Sequence, residues 1–146
     1  DFVKLREHSP VPISGGEVLT RRQAFLPWIE RGAFDIIQPD VTKVGGISEE
    51  RRIAWAAEDH GIRFIPHGWN TAVGLAADLH LASAIPGTDL VEYLTGSPFI
   101  DEITAGGWKL DADGMLPIPT KAGLGLTLDP DVVAKYTGKA RLLEKA

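Results

Sequence analysis

The chain has 146 residues, 44% hydrophobic and 24% charged, which is one domain's worth of ordinary globular sequence with enough apolar side chain to build a core. A formal charge of −5 without any Lys/Arg cluster excludes a nucleic-acid backbone as partner, because that binding runs on counterion release by clustered cations. There is no cysteine and no apolar run near the roughly 20 residues of a membrane span, so disulfides, thiolate metal sites and membrane insertion are excluded and a soluble, cytoplasmic protein is expected.

Residues 1–6 have the pattern of an amphipathic helix interior, with neither a cap nor an initiator methionine ahead of them, which predicts a piece of a longer chain. Strand-like runs then recur at 11–14, 34–38, 62–65 and 90–94, at intervals of roughly 25 residues, the spacing of βα units in which a crossover helix carries the chain to a parallel neighbour. Thr20 with Gln23 has the form of a capping box opening a helix that ends near Gly32, and Pro27 within it predicts a kink or a second start. Ser48 before Glu49 and Glu50 predicts a capped helix with two negative charges at its positive end, running to Gly61. The Ala/Leu-rich run 71–84 predicts a helix packed closely on the sheet and stopped before Pro86-Gly87.

Beyond Thr95 the texture changes. Residues 108–111 and 115–118 flank Ala112-Asp113-Gly114, a hairpin signal, and Asp129-Pro130 opens a short helix. This predicts a separate, mostly β appendage, with a domain division of 1–97 and 98–146.

In parallel α/β folds ligands bind at the carboxyl ends of the strands. Glu17 lies in the loop after the first expected strand, Asp40 ends the second, His67 ends the third and Glu92 lies within the fourth, so each βα unit delivers an ionisable side chain to one rim. A single such residue reads as a cap or a solvated loop group; four in register read as a site. No GxGxxG or Walker pattern follows any strand, which leaves nucleotide binding without support. The residue types indicate the chemistry. Glu17 is a hard oxygen ligand suited to Mg²⁺. His67 beside Asp40 can carry a proton near neutral pH, with one ring nitrogen held by the carboxylate. Glu92, if partly buried and protonated, can donate to a developing oxyanion. Together they describe abstraction of a proton next to a carboxylate.

The motifs Pro12-Ile13-Ser14-Gly15-Gly16-Glu17, Gln38-Pro39-Asp40-Val41-Thr42-Lys43-Val44-Gly45-Gly46, Pro66-His67-Gly68-Trp69 and Glu92, with Gly123-Leu124-Gly125 in the tail, strongly resemble the enolase superfamily, mandelate racemase subgroup, over nearly the whole chain. The resemblance implies an α/β fold: the C-terminal half of a modified (β/α)₇β TIM-like barrel, strands five to eight, plus the C-terminal part of an α+β capping domain. It implies that Glu17 is the third of three Mg²⁺ ligands, Asp40 and His67 the Asp-His dyad, and Glu92 the carboxylic acid facing it. Relatives with a lysine base on this strand carry Lys at the position of Asp40, so the resemblance separates this chain from them. Lys43 reads as a structural neighbour. The family's chain is more than twice as long, so the first strands, the other two ligands and the N-terminal cap are expected on a missing N-terminal half, without which two sheet edges would be unpaired.

His8 reads as solvated, His60 as a helix-end group and His80 as the polar edge of its helix. Trp28, Trp55 and Trp108 suit core or domain-contact roles. Trp69 and Asn70, directly after the candidate base, either line the substrate pocket or brace the loop. The expected function is that of a lyase dehydrating a sugar acid with Mg²⁺, as part of a longer, homo-oligomeric enzyme. Racemisation, epimerisation and cycloisomerisation use the same groups, and a non-catalytic half-barrel module is the alternative from a different class.

Overall fold

Three short parallel strands, β1 (Ser14–Gly15), β2 (Ile36–Ile37) and β3 (Arg63–Phe64), pair in chain order in a computed structural model that describes residues 1–137. Ser14 stands opposite Ile36, and Ile37 opposite both Gly15 and Phe64. Parallel neighbours cannot be joined by a tight turn, and the intervening helices supply the crossovers. α1 (Phe2–His8) precedes β1; α2 (Arg21–Glu30) leads to β2; α3 (Val41–Val44) and α4 (Ile47–Glu58) lead to β3; α5 (Ala72–Ala82) follows it.

The core lies between the helices and this sheet slice. Phe25 and Ile29 of α2, Ile37 of β2, Ile53 of α4 and Phe64 of β3 form one buried cluster. Each such side chain contributes about 1.5–3 kcal/mol relative to exposure, so the cluster fixes how α2 and α4 sit on the strands. A second cluster joins Leu75 and Leu79 of α5 to Ile100 and the partly buried Trp108. Trp28 packs with Phe2 and Phe34, whereas Trp55, expected in a core or contact role, is exposed beneath the guanidinium of Arg51.

Several expectations shift at the helix ends. Asp1 caps α1, its carboxylate accepting from the Val3 N–H. Thr20 stands at the N-terminus of α2 but its hydroxyl caps nothing; the Arg22 N–H instead donates to Glu49 Oε1 of α4 at 3.1 Å. α2 continues through Pro27 as one helix. α4 begins before Ser48: Gly45 ends α3 in the left-handed conformation, φ 116°, which glycine adopts without a Cβ clash, and the chain re-enters a helix at once. Glu49 is in the first turn as expected, but Glu50 points into the core and is fully buried.

The expected fourth strand at 90–94 is not paired. Among the described residues no ladder bond joins it to β3, and its link to the neighbouring loop is a side-chain contact from Glu92. A strand exists only through its ladder, and this stretch has no backbone partner. The tail is less β than expected. It contains α6 (Pro98–Asp101), α7 (Pro130–Tyr136) and one antiparallel bridge between Thr104 and Leu128. The hairpin turn forms, closed by the Asp111 N–H on the Met115 carbonyl and by the Asp111 carboxylate on the N–H groups of Asp113 and Met115, without strands around it. Asp129 caps α7 as its sequence predicts. No described helix is long and apolar enough to cross a membrane.

Candidate functional site

His67 sits three residues beyond β3, where its N–H donates to the Pro39 carbonyl at 2.9 Å and so extends the β2–β3 contact past the strand ends. Asp40, three residues beyond β2, is thereby brought level with it. The Asp40 side chain caps α3: Oδ1 accepts from the Thr42 N–H at 2.8 Å and from Thr42 Oγ1 at 2.5 Å. Oδ2 is left to face His67 Nδ1 at 2.9 Å and Lys43 Nζ at 3.1 Å. Burial pushes the Asp40 carboxyl up, but the bonds from Thr42, His67 and Lys43 outweigh it and hold the group below the usual carboxylate range. A buried carboxylate with four donors is an anion fixed in one orientation, and it fixes the imidazole in turn.

The other face of the ring meets the remaining two acids. Glu17 Oε2 lies 2.9 Å from His67 Nε2, and Glu92 Oε2 lies 3.8 Å from it. Their side chains are 57% and 46% exposed, so His67 is the buried floor of a site whose lip is formed by Glu17 and Glu92. Glu92 is therefore more open than the sequence suggested. It is tied down by the Gly68 N–H, which donates to Oε2 at 2.7 Å. That approach requires glycine, since a Cβ at position 68 would collide with the Glu92 carbonyl.

The structure thus brings Glu17, Asp40, His67 and Glu92 to one place. Trp69, which follows Gly68 in the chain, has 71% of its surface exposed. Asn70 is turned the other way: its Nδ2 donates to the His67 carbonyl at 3.5 Å and to Asp78 Oδ2 of α5 at 3.2 Å, the bracing arrangement. His8 and His60 each bond a carbonyl four residues back in their helices, and His80 meets the Leu124 carbonyl. Sequence reasoning overlooked Thr42, although Asp-x-Thr at a helix start is a capping pattern. It also missed the burial of Glu50, which the i, i+3, i+4, i+7 spacing with Ile53, Ala54 and Ala57 could have shown, and of Asp78, for which α5, buried nearly all round, gives no such signal.

Among the described residues no group of three or more His, Asp or Glu side chains is placed to hold a metal ion. Asp40 has both oxygens engaged and cannot serve as a ligand. Glu17 is an exposed hard-oxygen donor beside the ring, and Mg²⁺ commonly takes only one or two protein carboxylates. The residues present fit one corner of a Mg²⁺ site and do not complete it.

Residues 1–132 match the family described as enolase C-terminal domain-like. The chain is 32% identical over 145 residues to the D-galactarolactone cycloisomerase of Agrobacterium fabrum, covering 92% of this chain and 38% of that one. It is 35% identical over 134 residues to a D-galactonate dehydratase family member of Streptomyces bingchenggensis, covering 90% and 32%. The crystal structure of a mandelate racemase/muconate lactonizing enzyme from Sulfitobacter superposes with a TM-score of 0.84 at 36% identity, covering 94% and 35%. The chain spans about a third of the length of these relatives.

Proposed function

The chain belongs to the enolase C-terminal domain-like family, in its mandelate racemase and muconate lactonizing enzyme branch, and from that premise we propose that it is the C-terminal part of a longer Mg²⁺-dependent enzyme that removes the proton α to a carboxylate and dehydrates a sugar acid. The observation that carries the reading is the ring of His67 held between three carboxylates, one buried and two on the open lip. A buried proton carrier with a fixed anion behind it and open acidic groups in front is a catalytic arrangement; a structural histidine would need neither lip carboxylate.

In this mechanism Asp40 Oδ2 accepts the Nδ1–H of His67 and leaves Nε2, which faces Glu17 and Glu92, as the position that exchanges protons. Nε2 then takes the α-proton, or returns a proton to the departing hydroxyl as it leaves the adjacent carbon. Glu92, on the same side as Nε2, hydrogen-bonds the substrate across the lip. Glu17 would hold Mg²⁺ together with ligands from the N-terminal part, and the ion when bound supplies a positive charge against which the substrate carboxylate and the charge developing on it are stabilised. Lys43, with Nζ bridging the Asp40 carboxylate and the Glu17 carbonyl, keeps those two groups in register.

Similarity to a D-galactarolactone cycloisomerase favours a second reading, cycloisomerisation, which moves the same proton with the same residues and differs in the leaving group. A non-catalytic half barrel would not need all four rim residues. The test uses the chain completed by its N-terminal part, with Mg²⁺ and D-galactonate or D-galactarolactone in deuterated solvent. Exchange or loss of the α-proton that disappears in His67→Asn supports the reading, and undiminished exchange in that variant removes His67 from the mechanism.

A further inference from the structure

We propose that Asn70, seated on Gly74 and held by Asp78, is a positioning residue that sets the placement of His67 from the side of α5. The imidazole and the N–H of His67 are fixed by the β2 side, through Asp40 and the Pro39 carbonyl. Its carbonyl is reached by the amide of Asn70. The backbone turn that delivers this amide is closed by the Asn70 N–H on the Gly68 carbonyl at 3.0 Å.

The seat is built into α5. Gly74 lies inside that helix with an ordinary helical backbone, so no turn demands a glycine there, and glycine is a helix-weakening choice. Its purpose is close approach: a Cβ at position 74 would stand 2.5–2.8 Å from Cγ, Oδ1 and Nδ2 of Asn70. The amide therefore lies flat on the helix backbone. From there Nδ2 reaches Asp78 Oδ2, one turn further along α5, at 3.2 Å.

Behind the seat the acceptors outnumber the donors. Asn70 Oδ1, Asp78 Oδ1 and both oxygens of Glu50 are buried with no hydrogen-bond partner. A protonated carboxyl turns one acceptor into a donor, and burial drives both acids that way. Burial, with Asp78 and Asp40 nearby, pushes Glu50 up to about 9. Burial likewise takes Asp78 up to about 7, against the Asn70 donor and with help from Asp40 and Glu92. A neutral Glu50 sets no second buried charge beside Asp78, whose Oδ2 stays with the Asn70 amide.

This inference rests on the proposed function only for its kinetic readout. In the completed enzyme, the ring ¹⁵N signals of His67 and the α-proton exchange of D-galactonate are measured for Asn70→Ala, Asp78→Ala, Asp78→Asn, Gly74→Ala and Glu50→Gln, with melting curves for each. Asn70→Ala, which removes only the amide, is expected to shift the His67 ring signals and to lower kcat about 10- to 100-fold with KM within about twofold, as for a misplaced catalytic group. Asp78→Ala and Gly74→Ala act in the same direction. Asp78→Asn, which keeps an acceptor for the Asn70 amide, and Glu50→Gln, which keeps a neutral side chain of the same shape, are expected to retain the wild-type signals. His67 signals unmoved in Asn70→Ala would overturn the proposal, as would Glu50→Gln behaving like Asp78→Ala. If the wild type turns over no acid while the ring signals still move as expected, the functional reading fails and the positioning role stands.

Discussion

His67 Nδ1 and Asp40 Oδ2 lie 2.9 Å apart, and neither side chain is more than 5% exposed. The pair is dry, and Asp40 is held as an anion by Thr42 and Lys43 as well as by the ring. Replacing Asp40 by Asn keeps the shape but gives His67 an amide that can face it with N–H groups. The tautomer with a free Nε2 then loses its support. In dyads of this kind such a change lowers turnover about 10²–10⁴-fold. Asp40→Asn is expected to cut α-proton exchange by that order while the far-ultraviolet circular dichroism keeps its helical signal. Wild-type exchange would show that Asp40 only caps α3.

Gly68→Ala probes the lip. The new methyl cannot coexist with the Glu92 carbonyl, so either the 90–94 segment moves away or the loop after β3 distorts. Both outcomes break the Gly68 N–H to Glu92 bond, and overpacking of this sort costs about 1–3 kcal/mol. A lower melting temperature together with reduced turnover is expected. A variant with native stability would mean that the 90–94 segment yields freely and that Glu92 is not held in place.

Trp69 separates binding from folding. With most of its ring in solvent it contributes little to the core, and surface substitutions of this kind change stability within about ±0.5 kcal/mol. Beside the lip it can cover a bound sugar acid. Trp69→Ala is expected to raise KM and leave the denaturant midpoint unchanged. An unchanged KM would assign the indole to contact with the N-terminal part of the enzyme.

The period of the apolar runs was enough to read three of the parallel strands and the helices between them, because Ile37 and Phe64 of the strands are buried against core-facing helix residues such as Phe25 and Ile29. The run at 90–94 carries the same composition without becoming a strand. Composition reports β-propensity, whereas a strand also needs a neighbour for its backbone, and the described residues give this stretch none. Glu17, Asp40 and His67 were legible because they fall two or three residues past the ends of β1, β2 and β3, whereas Glu92 reaches the same place from a segment that is not a strand. Of the partners of Asp40, Lys43 was read as a structural neighbour, while Thr42 looks like an ordinary first-turn helix residue until the carboxylate's orientation is known. Glu50 was read as one of two negative charges at the positive end of a helix. Its burial follows from the face it occupies, since position 50 shares the i, i+3, i+4, i+7 stripe of Ile53, Ala54 and Ala57 that packs on the core.

That burial makes stability depend on pH in a direction opposite to ordinary acid denaturation. A carboxyl whose folded pKa is raised binds its proton more tightly in the native state than in the unfolded chain. Its favourable contribution is complete below the unfolded value and is lost as pH rises through the folded one. For Glu50 the window runs from its ordinary 4.5 to about 9, and for Asp78 from 3.8 to about 7. Asp40 works the other way, its lowered value stabilising the fold above the ordinary carboxylate range and failing only in stronger acid. The denaturation free energy is therefore expected to fall between about pH 5 and pH 9 by an amount on the order of a few kcal/mol. Glu50→Gln, which cannot ionise, should flatten most of that slope and be more stable than the wild type at pH 9. Denaturant titrations at pH 5, 7 and 9 on both proteins measure it; parallel curves would mean that Glu50 reaches water and ionises without penalty, and that the acid pair between α4 and α5 is not dry.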